Sequence, residues 1–213
     1  MKWPTRLFDF YLDASIHVAL GVFALLKVTV ILLHISVDPH VSSYLFFGTI
    51  ACYNFIKYGV EAEKYLLVAN RYHKNIQFFS FAALTMALYH LYFLTWQTWL
   101  AIAIISFLTG IYALPVLPKA KNLRSLGLLK ILLVGLVWAG STVILPVLEA
   151  SQAMKWDTWI ETCQRFLLVL VLLIPFEIRD LKYDAPDLRT LPQRVGFART
   201  KGWAALWVVL LFL

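Results

Sequence analysis

The chain has 213 residues, 61% hydrophobic and only 15% charged, against roughly 45–50% and about 25% in an ordinary soluble domain. A soluble monomer is excluded, and the 8 Trp, 10 Tyr and 15 Phe fit a polytopic helical membrane protein with aromatic residues at the lipid–water boundaries. The formal net charge of +7 would suggest nucleic acid in a soluble protein, but the placement of the basic residues gives it another meaning. Cys52 and Cys163 fall inside apolar runs and read as small buried hydrophobes, so no disulfide framework is expected.

Apolar runs near the roughly 20 residues that cross a ~30 Å hydrocarbon core begin near Ser15, Val41, Ile76, Thr98, Leu126, Thr158 and Trp203. The intervening polar stretches alternate in charge. A basic N-terminus (Lys2, Arg6) is followed by a short loop with Asp38 and His40, then by a basic loop over 57–75. Next come an uncharged turn at Thr95-Trp96-Gln97, a basic loop over 118–125, a stretch over 149–157 with Lys155 alone, and a loop over 179–201 rich in both signs. With the basic set inside, fifteen of the 19 Lys and Arg are cytoplasmic and Lys155 alone is outside, leaving Lys27, Lys130 and Arg165 within spans. The positive-inside rule holds at every loop, so the N-terminus is predicted cytoplasmic, and the excess positive charge reflects orientation and contact with anionic lipid headgroups rather than nucleic acid. Asp9 and Asp13 precede the first run and no small-residue cleavage site follows it, so that run stays as a span and not a signal peptide.

The last run, from Trp203 to Leu213, makes only about 16 Å of helix. The expectation is one all-α transmembrane bundle over 1–213, six full spans plus an incomplete seventh, with C-terminal helices continuing beyond Leu213. The other reading is a half-span tucked against its neighbours.

Ionisable residues gather at the cytoplasmic edge, most densely in Glu177-Ile-Arg-Asp180-Leu-Lys-Tyr-Asp184-Ala-Pro-Asp187-Leu-Arg189. On a helix leaving the sixth span, Glu177, Asp180 and Asp184 share one face. Pro175 lies one turn earlier and should kink the helix, and Pro186 should end it. Clustered carboxylates repel unless a cation lies between them, and such hard oxygen ligands suit magnesium with a substrate phosphate. The alternative is a solvated loop in which these acids balance Arg179, Lys182, Arg189 and Arg194.

Asp180-Leu-Lys-Tyr-Asp184, then Arg189-Thr-Leu-Pro192-Gln and Gly196, resembles the second aspartate-rich motif of the UbiA superfamily of intramembrane prenyltransferases and the loop that follows it. Ile111-Tyr-Ala-Leu-Pro115, the basic 119–124 loop, Lys130, Trp138 and Pro146 are similar to the middle of small bacterial members, which implies a bacterial inner-membrane location. Members of that family have nine helices around a central cavity. The first motif departs from the family: where it reads Asn-Asp-x-x-Asp-x-x-x-Asp, this chain keeps Asn54 but carries Phe55, Tyr58 and Ala62 at the aspartate positions.

The resemblance implies magnesium on Asp180 and Asp184, and an isoprenyl diphosphate whose prenyl group passes to a lipophilic acceptor. It places Asn54 and Lys57 at the diphosphate end, where the Lys57 ammonium replaces one magnesium as a point charge, and puts Lys57 and Asp180 around one cavity. Lys130 and Arg189 become further phosphate contacts, and Tyr112, with Tyr53 and Trp138, an aromatic face toward the allylic cation. A non-catalytic protein of the same fold, binding an isoprenoid lipid or a protein partner, is the rival. A transporter would carry its ionisable residues at the midplane, whereas these acids sit at one edge, and the Asp-Gly and Gly-Asp pairs of CDP-alcohol phosphotransferases are missing from the chain.

Within the spans, Lys27 is expected to face a cavity or a buried partner, because lipid exposure is costly. Arg165 is expected to pair with Glu161 four residues earlier. His17, His34 and His90 have no second ligand at helical spacing, which argues against metal.

Overall fold

Each of the seven apolar runs forms a helix in the computed structural model, which describes residues 3–59, 71–113, 128–181 and 190–211. The order is α1 (Trp3–Asp13), α2 (Ile16–Leu32), α3 (Pro39–Asn54) with a π-helical turn at Phe55–Gly59, and α4 (Arg71–Leu91). Then come α5 (Trp96–Ala113), α6 (Leu128–Ala139), a second π-helical turn at Gly140–Ile144 that continues into α7 (Leu145–Glu149), α8 (Trp156–Asp180), α9 (Leu191–Val195) and α10 (Phe197–Leu211). Every regular element among the described residues is helical.

Among the described residues, three helices, Trp96–Ala113, Leu129–Glu149 and Trp156–Arg179, are long and apolar enough to cross a membrane. A fourth span arises if Thr5–Asp13 and Ile16–Leu32, bent by 63°, count as one. The chain is thus an all-helical, membrane-associated protein. The other runs fall short for identifiable reasons: α2 has 17 residues and α3 has 16, while the 21 residues of α4 open with Arg71, His73, Lys74, Asn75 and Gln77. Large exposed apolar side chains, among them Phe78, Phe81, Ile104, Phe107 and Leu172, are the surface that a hydrocarbon solvent requires and water penalises. Trp96 and Trp99 open α5, and Trp156 and Trp159 open α8, all exposed, as aromatic residues are at a lipid–water interface.

The chain divides into two compact units, Met1–Leu100 with Leu145–Gln152, and Ala101–Ile144 with Ala153–Leu213. In the first, α2 turns Ala19, Val22, Leu26 and Thr29 inward, a three-four spacing that makes one helical stripe. Asp38 accepts a hydrogen bond from the His40 backbone N–H at 2.7 Å and Pro39 follows, the N-cap and first-turn residues that start α3. Ala19, Ile50 and Ala83 form the centre, with Ile16, Phe46, Phe47 and Phe79 around it. Small residues bring helices close where hydrocarbon offers no hydrophobic drive; a Cβ on Gly48 would lie 4.0 Å from that of Ala87. Glu149 accepts hydrogen bonds from the Thr95 backbone N–H at 3.1 Å and hydroxyl at 3.2 Å, tying the start of α5 to the end of α7.

In the second unit, Ile131, Leu170, Ile174 and Leu191 form the core, flanked by Leu132, Phe166, Ile178 and Trp207. Gly135 is needed where α6 meets α8, because a Cβ there would come within 2.9 Å of the Phe166 ring. The helix α8 continues through Pro175 to Asp180. Arg165 pairs with Glu161 as the spacing predicts, and its other guanidinium nitrogen donates to the Thr142 hydroxyl at 2.9 Å, so a buried charge has both a counter-ion and a neutral acceptor. The second π-helical turn carries Thr142.

Three expectations change. The N-terminal stretch before Ser15 is a helix, α1, rather than a polar lead-in. Lys27 is exposed, with Nζ 5.2 Å over the Phe23 ring one turn earlier; a cation–π contact on its own helix replaces the buried partner. Cys163 is exposed, while Cys52 is half-buried and both are free.

Candidate functional site

The residues singled out by sequence fall into two groups, one in each unit. In the first unit α3 ends in the π-helical turn Phe55–Gly59. One extra residue per turn rotates the following side chains, a feature common at functional positions. Here it presents Lys57 and Tyr58 to the corner between α1 and α2. Tyr58 donates its hydroxyl proton to the Asp13 carbonyl at 2.9 Å, and Lys57 Nζ lies 3.3 Å from that carbonyl and 3.4 Å from Asp13 Oδ1. Burial would lower the Lys57 ammonium's pKa, but the Tyr58 hydroxyl and the Asp13 carboxylate outweigh it and leave it raised above 10.5. Lys57 is a fixed cation, yet its side chain is 43% exposed and that of Asp13 41%. An ion pair so exposed is worth about 0–1 kcal/mol, so an incoming anion displaces it at little cost.

Asn54 has a different position. It is 2% exposed, accepts from the Ser15 hydroxyl at 2.8 Å, and donates to the Ala14 carbonyl at 3.2 Å and the Ser80 hydroxyl oxygen at 2.8 Å. Both ends of its amide are engaged in holding three segments together. Ser15 sits in the left-handed region at φ 59°, a conformation that costs a non-glycine residue about 1–2 kcal/mol and persists where neighbours over-determine it.

The second group lies at the polar end of α8. Glu177 is 3% exposed, and its Oε1 takes a 2.7 Å hydrogen bond from Lys130 near the start of α6. Glu177 is thus buried and ion-paired rather than solvated as the alternative reading had it, and Lys130, expected at a phosphate, has a carboxylate partner. The pairing is partial: among the described residues Glu177 Oε2 is buried with no hydrogen-bond partner, while the Thr190 side chain caps the start of α9. An unmet carboxylate oxygen in a buried place is costly and suits a cation or a donor from a ligand. Leu191 is buried in the core, and the Gln193 carbonyl oxygen accepts from the Thr190 backbone N–H at 3.0 Å, which orders the start of the Thr-Leu-Pro segment.

Asp180 is the last residue of α8, one turn beyond Glu177. Asp184 and Arg189 lie outside the described residues. The expected common helical face therefore reaches from Glu177 to Asp180 and no further within the described helix. Tyr112 is half-buried in the last turn of α5. Lys57 and Asn54 belong to the first unit, Lys130, Tyr112 and Asp180 to the second. Among the described residues no group of three or more His, Cys, Asp or Glu is placed to hold one metal ion. The donor chemistry at the end of α8 is nonetheless all hard oxygen, which suits magnesium.

Sequence reasoning missed Asp13, Ser15 and Ser80 as corner residues; the polar triplet Asp13-Ala14-Ser15 between two apolar runs was the one available sign. No protein-family model, curated protein or solved structure matches the chain.

Proposed function

We propose that this chain is an integral membrane prenyltransferase of the UbiA type, which binds an isoprenyl diphosphate through magnesium and passes the prenyl group to a lipophilic acceptor. The observation that carries the reading is the sequence Asp180-Leu-Lys-Tyr-Asp184 with Arg189-Thr-Leu-Pro192, whose first residue, Asp180, is the last of the 25-residue helix α8. Six full spans and a further partial one, with the basic loops and the N-terminus on the cytoplasmic side of a bacterial inner membrane, belong to the same proposal.

In this reading Asp180 and Asp184 would hold magnesium, which would supply positive charge to a departing diphosphate. Lys130 uses one of three ammonium donors on Glu177 and offers the others to phosphate oxygen. Arg189 is a further phosphate contact, Lys57 exchanges Asp13 for an anion, and Tyr112 gives an aromatic face to the prenyl carbon. The allylic carbon–oxygen bond breaks with its electron pair leaving on pyrophosphate, the new bond forms to a nucleophilic atom of the acceptor, and that atom's proton is released. Fixed charges in a dry site favour the separation.

One observation favours a second reading, a non-catalytic UbiA-like protein that retains an isoprenoid lipid or a protein partner. Asn54, the one residue kept from the first motif, is fully engaged in the α1–α2 corner. Release of pyrophosphate from geranyl diphosphate by the purified full chain with magnesium separates the two. Release abolished by Asp184→Asn supports catalysis, and an isoprenoid retained without any release supports the second reading.

A further inference from the structure

At the other end of α3 from Lys57, about 24 Å away along 16 residues, two imidazoles meet that no helical spacing could pair. His40 comes from the first turn of α3 and His90 from the last turn of α4, and their Nδ1 atoms lie 2.8 Å apart. The rings are held by aromatic walls. His40 stacks on Phe93 with centroids 4.3 Å apart and planes at 27°, and Phe47 lies parallel to His90 within 4° at 6.1 Å. The Asp38 carboxylate fixes the backbone of His40 from the preceding residue pair.

We infer that His40 and His90 form a two-imidazole site for a divalent transition-metal cation of tetragonal preference, copper(II) being the best match. Imidazole nitrogen suits copper, nickel and zinc, so the separation decides among them. With metal–nitrogen bonds of about 2.0 Å, two ligands cis in a tetragonal site lie about 2.8 Å apart, whereas two ligands of a tetrahedral site lie about 3.3 Å apart. The observed 2.8 Å, held by a ring-to-ring hydrogen bond, equals the first distance, so the two rings have only to turn until both nitrogens aim at one point.

A direct bond between the rings needs one Nδ1 protonated and the other bare. Metal binding needs both bare, with each ring's proton on Nε2. The set of hydrogen bonds made by the described residues gives neither Nε2 a protein partner, so no second contact holds either ring in the wrong tautomer. Both residues are half-buried, which leaves water a path to the remaining coordination positions. Among the described residues no third His, Cys, Asp or Glu is placed to join them, so the remaining positions of the proposed site go to water. The site is independent of the prenyl-transfer reading.

The test is titration of the full chain in detergent with copper(II), followed by calorimetry and electron paramagnetic resonance. One equivalent should bind, with hyperfine splitting from two imidazole nitrogens. His40→Gln and His90→Gln should each weaken binding about tenfold or more, since each removes one arm of the chelate, and His34→Gln should leave it unchanged. Wild-type protein with no stoichiometric copper, a signal lacking two nitrogens, or affinity undiminished in both folded single variants would overturn the inference. The wild-type resonance decides the matter even if a variant fails to fold.

Discussion

Replacing Asn54 by alanine separates a structural from a ligand-binding role for the one residue kept from the first motif. The substitution removes three hydrogen bonds, at 2.8, 3.2 and 2.8 Å. Side-chain bonds between membrane helices average about 0.6 kcal/mol each, which gives a lower figure near 2 kcal/mol. Two of the abandoned partners, the Ser15 hydroxyl and the Ala14 carbonyl, belong to residues 3% and 0% exposed. Orphaned buried groups cost about 1–3 kcal/mol each, so the expected loss for the two is about 2–6 kcal/mol. Ser80→Ala removes the hydroxyl's bonds to the Ile76 carbonyl and the Asn54 amide but leaves Asn54 its Ser15 and Ala14 partners, so it should cost only about 1 kcal/mol. Asn54→Asp keeps the acceptor for Ser15 but sets a carboxylate against the Ala14 carbonyl, and should resemble alanine. Reversible unfolding in mixed micelles, followed by far-ultraviolet circular dichroism, measures all three. If Asn54→Ala unfolded within about 0.5 kcal/mol of wild type while losing diphosphate binding, the amide would belong to the ligand and the structural account of the corner would be wrong.

Gly135→Ala should destabilise the second unit by about 1–3 kcal/mol, since the new methyl overlaps the Phe166 ring in a packed interface; Gly21→Ala, with open space around it, serves as the neutral control in the same assay. Lys130→Met should cost about 2–4 kcal/mol by leaving the Glu177 carboxylate buried and unpaired, and adding Glu177→Leu should recover most of the loss, as a double-mutant cycle would show. A raised lysine pKa places Lys57's contribution below pH 10.5 and removes it only as pH rises past the folded value. Diphosphate binding should therefore show no Lys57-dependent step between about pH 6 and 10, and a step in that range that vanishes in Lys57→Ala would contradict the arrangement.

Features encoded locally were legible in the sequence. Each of the seven apolar runs is helical because hydrophobic length is a local property, the fifth as α6 and α7 joined by a π-helical turn, and Arg165 pairs with Glu161 because four residues along a helix is a fixed distance. The first helix escaped notice because Asp9 and Asp13 interrupt its apolar residues and make it look like a polar lead-in. Neither π-helical turn has a compositional sign, since one extra residue per turn is a matter of packing. Pairs between helices were the least accessible. Lys130 and Glu177 are 47 positions apart, His40 and His90 are 50, and nothing in either segment names its neighbour. Lys27 departs from expectation for the opposite, local reason: the Phe23 ring one turn away on the same helix meets its ammonium without a partner from another segment.

The proposed function needs a magnesium-dependent diphosphate site at the end of α8. Calorimetry of the full chain with a non-hydrolysable geranyl diphosphate analogue, with and without magnesium, tests it most directly when Asp180→Asn is measured beside wild type. Wild type should bind with magnesium and lose most binding to chelator, because the anion cannot approach the carboxylates without a bridging cation. Asp180→Asn should lose both the binding and its dependence on the metal. Wild-type affinity unaffected by chelator and by Asp180→Asn would contradict the site.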